Sequence, residues 1–352
     1  MLTGQNGILN RATEAKEKTE TASKDEKRKL AQAEALMNTD ETTYKGITLP
    51  EGFVPTKIEG EDSIDDGLVI TDGYGNEYVW VEVPKTTEVY PTAGLSITNF
   101  TDDEYNKIEA DLKKYTNEYK HSSYGDTDQD LFIEYQKMLK SVYTNGGFWI
   151  GRYEAGLEND IPRKSYIDIT SGDKAVIKQN KVPYNYVTRD DAQKLAVRMN
   201  YEGYTSSLIF GVQWDLMLKY IENKKATTQY NLKIDSTAIG NYNDNLWNVT
   251  NTNAKYSIDN GDIFNAGSHL KKENANVLLT TGANESFSMM NIYDIAGNVW
   301  EWTLERCKTS YPYTFRGGSY ENSGSSIPAG YRNEGAINNY RYNIGFRIGL
   351  WK

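Results

Sequence analysis

The 352-residue chain has few cysteines, few histidines and no long apolar run, and each shortage excludes a class of protein. Its one cysteine, Cys307, cannot form a disulfide within the chain, so packing and polar contacts must hold the fold together. Two histidines leave few candidates for a general base or a metal site. No apolar stretch approaches the roughly 20 residues that a membrane-spanning helix needs. The first residues also lack the pattern of a signal peptide.

Basic charge is also in short supply. Lys and Arg number 39 against 49 Asp and Glu, and the net charge is −10 with no basic stretch. Phosphate backbones would be repelled, so we expect no nucleic-acid partner. Tyrosine, in contrast, is abundant, with 27 residues against 9 Phe. Because its ring has an apolar body and a polar tip, this excess suits either half-buried packing or a binding surface.

The N-terminal part of the chain predicts a helix over residues 8–38. Its apolar positions recur every three or four residues, with Lys and Glu between them: Ile8, Leu9, Ala12, Ala15, Thr19, Ala22, Leu30, Ala33 and Leu36. The stripe is thin and rich in alanine, so this helix needs a partner surface. We therefore divide the chain into an N-terminal stalk helix and linker, residues 1–44, and one large domain, residues 45–352.

Early in the large domain, the pattern predicts a β-hairpin and then a helical insertion. Residues 68–71 and 77–83 are β-branched and aromatic runs on either side of a glycine-rich turn. The insertion, at about residues 100–145, contains two predicted helices. Candidate boundary residues are Thr101 as a cap for the first helix, Asp126 or Thr127 as a cap for the second, and Gly146 as its end.

The middle of the chain alternates strand, helix and polar stretches, which indicates an α+β fold. Residues 148–154 predict a buried strand, and Thr188 predicts the start of a helix with Asp191 in a capping arrangement. Residues 223–290 are rich in Asn, Thr, Asp and Ser and predict long surface loops. Four apolar residues are spaced to anchor these loops: Trp247, Ile263, Phe264 and Leu278.

A family resemblance rests mainly on three blocks near the C-terminus: Gly297-Asn-Val-Trp-Glu-Trp302, Arg316-Gly-Gly-Ser319 and Gly345-Phe-Arg347. They resemble the closing part of the formylglycine-generating-enzyme-like (sulfatase-modifying) branch of the C-type lectin fold. Residues 148–154 and Trp214 are similar to earlier parts of that family, with Gln213 where glutamate is usual. The resemblance implies a loop-rich α+β domain of this type over roughly residues 78–352.

This resemblance implies two possible kinds of enzyme, and the numbers of cysteines and histidines argue against both. Formylglycine-generating oxidases use a pair of cysteines that bind copper, whereas this chain has Cys307 alone. The related sulfoxide synthases need a histidine-rich iron site, whereas His121 lies in the insertion and His269 in a polar loop. No P-loop, dinucleotide fingerprint or nucleophile elbow is present. We therefore expect no catalysis and no organic cofactor, with a divergent oxidase as an alternative.

The same resemblance implies a calcium site, because the Gly-Asn-x-Trp-Glu-Trp block of the family wraps a calcium ion. It implies four ligands, two through side-chain oxygens and two through backbone carbonyls: Asp294 and Glu301, and Gly297 and Val299. The alternative is the same loop without a metal, in which Glu301 pairs with a nearby arginine such as Arg316 or Arg347.

The segment between the last two blocks, residues 320–342, is here called the tail. It is composed almost wholly of Tyr, Ser, Gly, Asn and Arg, which is typical of antibody-like binding loops. The arrangement resembles the variable proteins of diversity-generating retroelements, which close on a similar Gly-Phe-Arg block. Their variable segment is copied with adenines randomised, and Tyr, Ser, Ile, Gly, Arg and Ala can each arise from an Asn codon in that way. Glu321 and Glu334 cannot, so they would be fixed or would need another template codon.

The resemblance thus implies a diversified ligand-binding face made by these tail residues: Tyr320, Asn322, Ser326, Ile327, Gly330, Tyr331, Asn333, Gly335, Ile337, Asn338, Asn339, Tyr340, Arg341 and Tyr342. The alternative is a fixed, loop-rich end of the domain.

The first residues suggest where the protein is displayed. Residues 2–16 resemble the segment that follows the hydrophobic anchor of prepilin-like proteins from Gram-positive bacteria. We therefore expect membrane attachment only through an anchor upstream of this sequence, and an extracellular position on a Gram-positive cell surface or as a prophage product. The alternative is a cytosolic protein with a natural N-terminal helix. The expected function is binding of a protein or glycan, and a structural pilin-like subunit is the second possibility.

Overall fold

The computed structural model describes residues 3–38, 40, 42–127 and 129–352, without the side chains of residues 3–12, 14, 17, 126, 127 and 129. Within this part, no helix is both long and apolar enough to cross a membrane. The described residues form six α-helices: α1 (Thr3–Met37), α2 (Asp102–Tyr115), α3 (Phe132–Asn145), α4 (Arg189–Val197), α5 (Gly211–Asn223) and α6 (Gln229–Lys233).

The strands of the same residues are short, and they confirm the predicted α+β class. In chain order they are β1 (Thr42–Tyr44), β2 (Ile47–Leu49), β3 (Phe53–Pro55), β4 (Val69–Asp72), β5 (Glu77–Glu82), β6 (Tyr124–Thr127), β7 (Gly147–Gly151), β8 (Gly156–Leu157), β9 (Ala175–Val176), β10 (Thr205–Leu208), β11 (Trp247–Val249), β12 (Lys255–Ser257), β13 (Asn265–Ala266), β14 (His269–Lys271), β15 (Leu278–Leu279), β16 (Ser288–Met289), β17 (Ile292–Tyr293), β18 (Trp300–Cys307), β19 (Tyr313–Arg316), β20 (Arg332–Gly335), β21 (Ile344–Phe346) and β22 (Ile348–Trp351).

The larger sheet is antiparallel and joins the start of the domain to its last strand, in the order β10-β22-β7-β5-β4-β3. It contains the predicted hairpin as β4 and β5, whose turn is closed by Asp72: its Oδ1 accepts hydrogen bonds from the N–H groups of Tyr74 (2.9 Å) and Asn76 (2.8 Å). Trp80 and Trp149 lie opposite each other on β5 and β7, with ring centroids 5.0 Å apart. Because these central strands are buried along nearly their whole length, the sheet forms the middle of the core.

The second sheet carries the C-terminal blocks, in the order β20-β19-β18-β21. β18 pairs with β21 in parallel through Trp300–Trp302 and with β19 in antiparallel orientation. β6, from the insertion, extends the other end of β18. One long strand therefore connects the family blocks, the tail and the insertion.

The insertion contains the two predicted helices, but the start of the second was predicted wrongly. Thr101 begins α2 as expected, and its N–H donates to Glu104 (2.8 Å). Gly146 ends α3 in a left-handed conformation, also as expected. Residues 124–127, however, form β6, and α3 begins only at Phe132. The backbone groups there are satisfied by pairing with β18, so they do not cap a helix.

Residues 223–290 are more ordered than the predicted surface loops. They form α6 and two small antiparallel sheets over a core of their own, made by Trp247, Val249, Ala254, Val277, Leu279, Ala283 and Phe287. Trp247 and Leu278 are buried as predicted, and Phe264 is half-buried. Ile263 is exposed, because it follows a tight turn in which its own N–H donates to Asp259 Oδ1 (3.1 Å).

α1 begins at Thr3, earlier than predicted, and its buried face differs from the predicted stripe. Ala31 and Ala35 pack against Val54, whereas Leu30 and Leu36 are 65% and 64% exposed. The small alanines allow the helix to lie close to β3 and β4, and a leucine would not fit there. The predicted positions Ile8, Leu9 and Ala12 have side chains outside the described residues. The domain boundary at residue 44 stays a prediction.

A buried ionic cluster holds α1 on the domain. Arg28 Nη1 lies 2.8 Å from Glu77 Oε1, and its other terminal nitrogen binds Glu61. Arg152 binds the same two carboxylates at 2.9 and 3.0 Å. Burial alone would raise the pKa of Glu61, but Arg152 and Arg28 outweigh it and lower this pKa to about 2. Two arginines therefore balance two buried glutamates, and one of the four charges comes from α1.

We expect Arg28→Ala to lower the free energy of unfolding by about 3 kcal/mol, because Glu61 and Glu77 would then share one guanidinium in a buried site. Urea denaturation measures this change. Lys29→Ala, at an exposed neighbouring position, is the matched control and should change stability by no more than about 0.5 kcal/mol. Equal stability of the two variants would mean that α1 docks without the ionic cluster.

Candidate functional site

The Gly297–Trp302 block forms a tight turn that leads into β18. Asp294, Gly297 and Asn298 all have left-handed backbones, with φ of 59°, 74° and 55°. A β-carbon at Gly297 would lie 2.2 Å from Asn241 O, so only glycine fits there. Glu154, just after β7, accepts hydrogen bonds from Asn298 Nδ2 (2.6 Å) and Val299 N (3.1 Å). The turn is thus fixed from the larger sheet.

Arg347 links this turn to the rest of the core. Its Nε lies 3.0 Å from Glu301 Oε2 and its Nη2 lies 2.6 Å from Glu301 Oε1. The same guanidinium donates to the carbonyl oxygens of Gly151 (3.0 Å) and Tyr293 (2.7 Å). Glu301 is therefore paired with an arginine, and the partner is Arg347 and not Arg316.

Three buried carboxylates surround this one guanidinium: those of Glu154, Asp294 and Glu301. Burial raises the pKa of all three, and it raises the pKa of Asp294 to about 7. The negative charge of Asp294 and Glu301 raises the pKa of Glu154 further, whereas Arg347 acts in the opposite direction. One guanidinium therefore faces three buried carboxylates in this cluster.

The implied calcium site does not fit this arrangement. Both oxygens of Glu301 accept hydrogen bonds from Arg347, and Asp294 Oδ2 accepts one from Gly282 N (2.7 Å). In the described part of the chain, no three His, Cys, Asp or Glu side chains are arranged to hold a metal. A positively charged guanidinium lies against the carboxylate that a calcium ion would need.

The tail runs along the open edge of the second sheet, where β20 is the last strand. Six of its predicted contact residues are exposed: Ser326, Tyr331, Ile337, Asn338, Tyr340 and Arg341. Six more are half-buried: Asn322, Ile327, Gly330, Asn333, Asn339 and Tyr342. Tyr331, Ile337 and Tyr340 are 39%, 55% and 43% exposed, which is high for large apolar side chains. Most of the predicted face therefore points toward solvent.

Two residues predicted for this face are buried. Tyr320 is 1% exposed and packs against Leu278 and Val299. Gly335 is covered by the rings below it, since a β-carbon there would lie 2.6 Å from Trp302 and 2.9 Å from Phe315. Neither residue can contact a ligand, because both belong to the floor on which the face is built.

The two glutamates that do not fit the randomised pattern have structural contacts. Glu321 accepts hydrogen bonds from Tyr342 Oη (3.0 Å) and Asn343 Nδ2 (2.7 Å), and so ties the two ends of the tail together. Glu334 accepts one from Thr309 Oγ1 (2.6 Å). Both contacts would be lost on substitution, which is consistent with fixed positions inside the tail.

Two segments that sequence reasoning missed lie beside the tail, residues 158–170 and 255–264, here called the flanking loops. Tyr166 stacks on Tyr340, with ring centroids 4.6 Å and ring planes 27° apart. The flanking loops contact each other through an ion pair of Asp160 and Lys255 (3.2 Å). They also carry exposed isoleucines: Ile161, Ile167, Ile258 and Ile263.

Tyr186 joins the tail from the segment before α4. Its N–H donates to Arg341 O (3.0 Å), and its ring lies 6.3 Å from that of Tyr342. Its φ of 50° is unusual for an aromatic residue and places the ring beside the tail. The excess of tyrosine in the composition was a general signal for such contacts, but no local pattern marked these residues.

The residues considered for catalysis lie in separate places. His121 packs edge-on against Tyr124 in the insertion, and His269 stacks on Tyr256 at 4.0 Å in a small sheet. Cys307 is buried, with its Sγ 3.2 Å from Glu334 Oε2. No hydrogen bond joins either histidine to Cys307 within the described residues, although Tyr124 lies opposite Cys307 in the pairing of β6 with β18 and His121 shares a cavity with Arg332 of the tail.

We expect dialysis against EDTA to leave the melting temperature unchanged, because Arg347 already neutralises Glu301. Differential scanning calorimetry checks this. Glu301→Gln, in contrast, should destabilise the protein by about 3 kcal/mol or more, since it leaves a buried arginine without its charged partner. A melting temperature that falls with EDTA and is restored by calcium would contradict the assignment of Arg347 to this place.

We also expect the tail to tolerate substitution on its face but not on its floor. Ile337→Ser should change the free energy of unfolding by no more than about 0.5 kcal/mol. Gly335→Ser should cost about 1–3 kcal/mol through overpacking against Trp302 and Phe315. Gly172→Ser, where a β-carbon would meet only Thr170 Oγ1 at an ordinary contact distance of 3.8 Å, is the matched glycine control. If Gly335→Ser were as stable as Gly172→Ser, the division into floor and face would fail.

Comparison with known proteins gives one family match and several similar structures. The model of the sulfatase-modifying factor enzyme 1-like domain matches residues 170–349, which is more than half of the chain. No curated protein is a significant match. CarF is 14% identical over 58% of this chain and 87% of its own, with a TM-score of 0.35. PvdO from Pseudomonas aeruginosa is 16% identical over 59% and 82%, with a TM-score of 0.36.

A third similar structure is Treponema denticola variable protein 1, with 14% identity over 78% of this chain and 85% of its own and a TM-score of 0.23. The family assignment rests on the domain match, which covers the turn at Gly297, the paired strands β18 and β21, and the tail. The chain belongs to the sulfatase-modifying factor enzyme 1-like family, and its large domain has the C-type lectin-like fold of the formylglycine-generating-enzyme type.

Proposed function

We propose that this protein binds a ligand without catalysis, through the exposed face of the tail. The observation that carries this proposal is the exposure of Tyr331, Ile337, Tyr340 and Arg341 on a buried, tightly packed floor. Tyrosine and arginine are the residues that most often dominate binding energy at interfaces. A rigid floor reduces the conformational entropy that such side chains lose on binding.

The non-catalytic part of the proposal rests on the placement of the reactive groups. A copper site of the family's kind needs two thiolates, and this sequence has Cys307 alone. That thiol is buried, with its Sγ 3.2 Å from Glu334 Oε2. His121 and His269 are each packed against an aromatic ring in different parts of the chain.

The finer proposal is a variable protein of a diversity-generating retroelement. It is supported by the positions of two kinds of tail residue. Most residues that can arise from an Asn codon by randomisation of adenines are exposed or half-buried. Glu321 and Glu334, which are not reachable, make structural hydrogen bonds. Such a protein would keep its frame constant and change its ligand through the exposed positions.

The proposed setting is display on the outside of a Gram-positive cell or as a prophage product, with a protein or glycan as ligand. The prepilin-like sequence at residues 2–16 motivates it. A structural pilin-like subunit is the second candidate. It is favoured by the exposed side chains of residues 18–27 in the 35-residue helix α1, which leave this stretch available for assembly.

The binding test compares the wild-type protein with a triple variant, Tyr331→Ser, Tyr340→Ser and Arg341→Ser, on arrays of bacterial surface glycans and surface proteins. We expect the wild type to bind a subset and the triple variant to bind it at least about tenfold more weakly, a loss of about 1.4 kcal/mol. Tyr74→Ser, at a fully solvated tyrosine outside the tail, is the matched control and should bind as the wild type does.

Two results would reject the proposal. One is equal binding by the wild type and the triple variant, which would place the ligand elsewhere. The other concerns the finer proposal: a genomic locus without a near-copy of the tail's coding sequence and without a reverse transcriptase would exclude diversification, while leaving binding by a fixed tail to be judged by the arrays.

A further inference from the structure

A polar cavity of about 430 Å³ lies between the insertion and the second sheet. Residues 113–125 of the insertion form one wall, and β18, α5 and β20 form the other. A cavity of this size accommodates a small polar group or a sugar-sized part of a larger ligand.

Three buried charges line the floor of the cavity, those of Asp215, Glu305 and Arg332, and they satisfy each other together with the buried Arg316. Arg316 binds Asp215 Oδ1 (2.8 Å) and Glu305 Oε2 (3.0 Å). Arg332 binds Glu305 Oε1 (2.8 Å) and the second oxygen of Asp215. Every carboxylate oxygen therefore already has a guanidinium partner. The floor is neutral overall, so it neither repels an anion nor offers free carboxylates to a cation.

The mouth of the cavity carries positive charge on a protein whose net charge is −10. Lys113, Lys120 and Lys308 line it together with His121. Lys113 is ion-paired with Glu109 (2.6 Å), whereas the Lys120 ammonium has no hydrogen bond or ion pair within the described part of the chain. An uncompensated ammonium at a concave site attracts anions more strongly than one on a convex surface.

His121 adds a directed hydrogen-bond donor. Its Nδ1 accepts a hydrogen bond from Ser123 N (3.3 Å), so the proton of the neutral ring lies on Nε2. The ring is also held edge-on against Tyr124, at 4.9 Å between centroids. Nε2 is therefore a donor in both protonation states of the ring, and an acceptor-only ligand suits it.

The cavity is continuous with the tail. Tyr124 lies opposite Cys307 in the pairing of β6 with β18, and Cys307 Sγ contacts Glu334 of β20. Arg332, in the floor, directly follows the exposed Tyr331. Burial raises the pKa of Tyr124 in the cavity wall and Tyr331 adds to this shift, so a ligand on Tyr331 would lie close to the cavity.

We propose that this cavity is a subsite for an acidic group, a carboxylate or phosphate, on the ligand that the tail binds. Lys120 and His121 would contact the anionic oxygens, and the saturated Asp215, Glu305, Arg316 and Arg332 cluster would provide a rigid polar floor. This inference rests on the proposed ligand-binding function in one respect only, the continuity with the tail. The insertion then contributes a constant part of recognition beside a changeable face.

The test measures binding of inorganic phosphate and of acetate to the full chain by isothermal titration calorimetry, at constant ionic strength. We expect the wild type to bind at least one of them and the double variant Lys120→Ser, His121→Ser to bind it at least tenfold more weakly. Preference for phosphate or for acetate separates phosphate-bearing from carboxylate-bearing ligands. Lys174→Ser with Lys225→Ser removes two cations outside the cavity and should leave binding unchanged.

Phosphate and acetate binding that is absent in the wild type, or equal in the wild type and the double variant, would overturn the subsite, because the ion would then be absent or adventitious. Because the side chains of Lys120 and His121 are exposed, the double variant should fold normally. An unchanged melting temperature would confirm this. The triple tail variant described above should keep its anion affinity. Failure of the ligand arrays with intact anion binding would therefore reject the tail proposal and support the subsite.

Discussion

The buried pair of Glu301 and Arg347 is the interaction on which the large domain depends most. Glu301 lies on β18 of the second sheet, and Arg347 lies between β21 and β22, where the chain passes from one sheet to the other. By donating to Gly151 O and Tyr293 O as well, Arg347 joins both sheets and the turn before β18. Loss of one partner would leave a charge in a site without water, which typically costs 3–5 kcal/mol. This pair therefore gives the frame its rigidity and also occupies the place that the resemblance had given to calcium.

The packed residues beneath the tail explain how this segment can be part of the fold and still accept substitutions on its exposed side. Trp302 and Phe315 pack edge to face at 5.0 Å beneath β20, and Gly335 allows the strand to lie directly on them. Side chains on the other side of the same segment make few packing contacts, as the exposure of Ile337 and Tyr340 shows. A change at those positions alters the surface and leaves the floor intact. Buried and exposed residues do not alternate regularly along the tail, because it consists mostly of turns around one short strand, β20.

The sequence predicted the fold well where the signal was local and poorly where it depended on distant partners. The hairpin of β4 and β5, the Thr101 and Thr188 caps and the Gly146 helix end all depend on residues within a few positions, and all are confirmed. Pairing of β6 with β18 joins residues some 180 positions apart, so a polar turn sequence was interpreted as a helix cap. The ion pairs of Arg28 with Glu61 and Glu77 were also missed, because the sequence around a charged helix residue does not indicate which distant carboxylates it will contact. The tail face was predictable from composition, whereas Tyr320 and Gly335 were misplaced because composition does not separate a floor from a face.

Fixed and changeable contacts have different consequences for recognition, and this chain places them side by side. Tyr166 and Tyr186 contact the tail from segments outside it, and the insertion brings a cationic cavity to its other end. Under the proposed diversification, contacts made by fixed residues would contribute the same free energy to every version of the face. Contacts made by exposed tail residues would differ between versions, so they would provide the discrimination within a class of ligands. A frame that supplies part of the affinity permits a small set of tyrosines and arginines to provide specificity, since each well-placed anchor changes affinity by about tenfold or more. On the proposed function, the flanking loops and the insertion would therefore contribute to recognition together with the tail that lies between them.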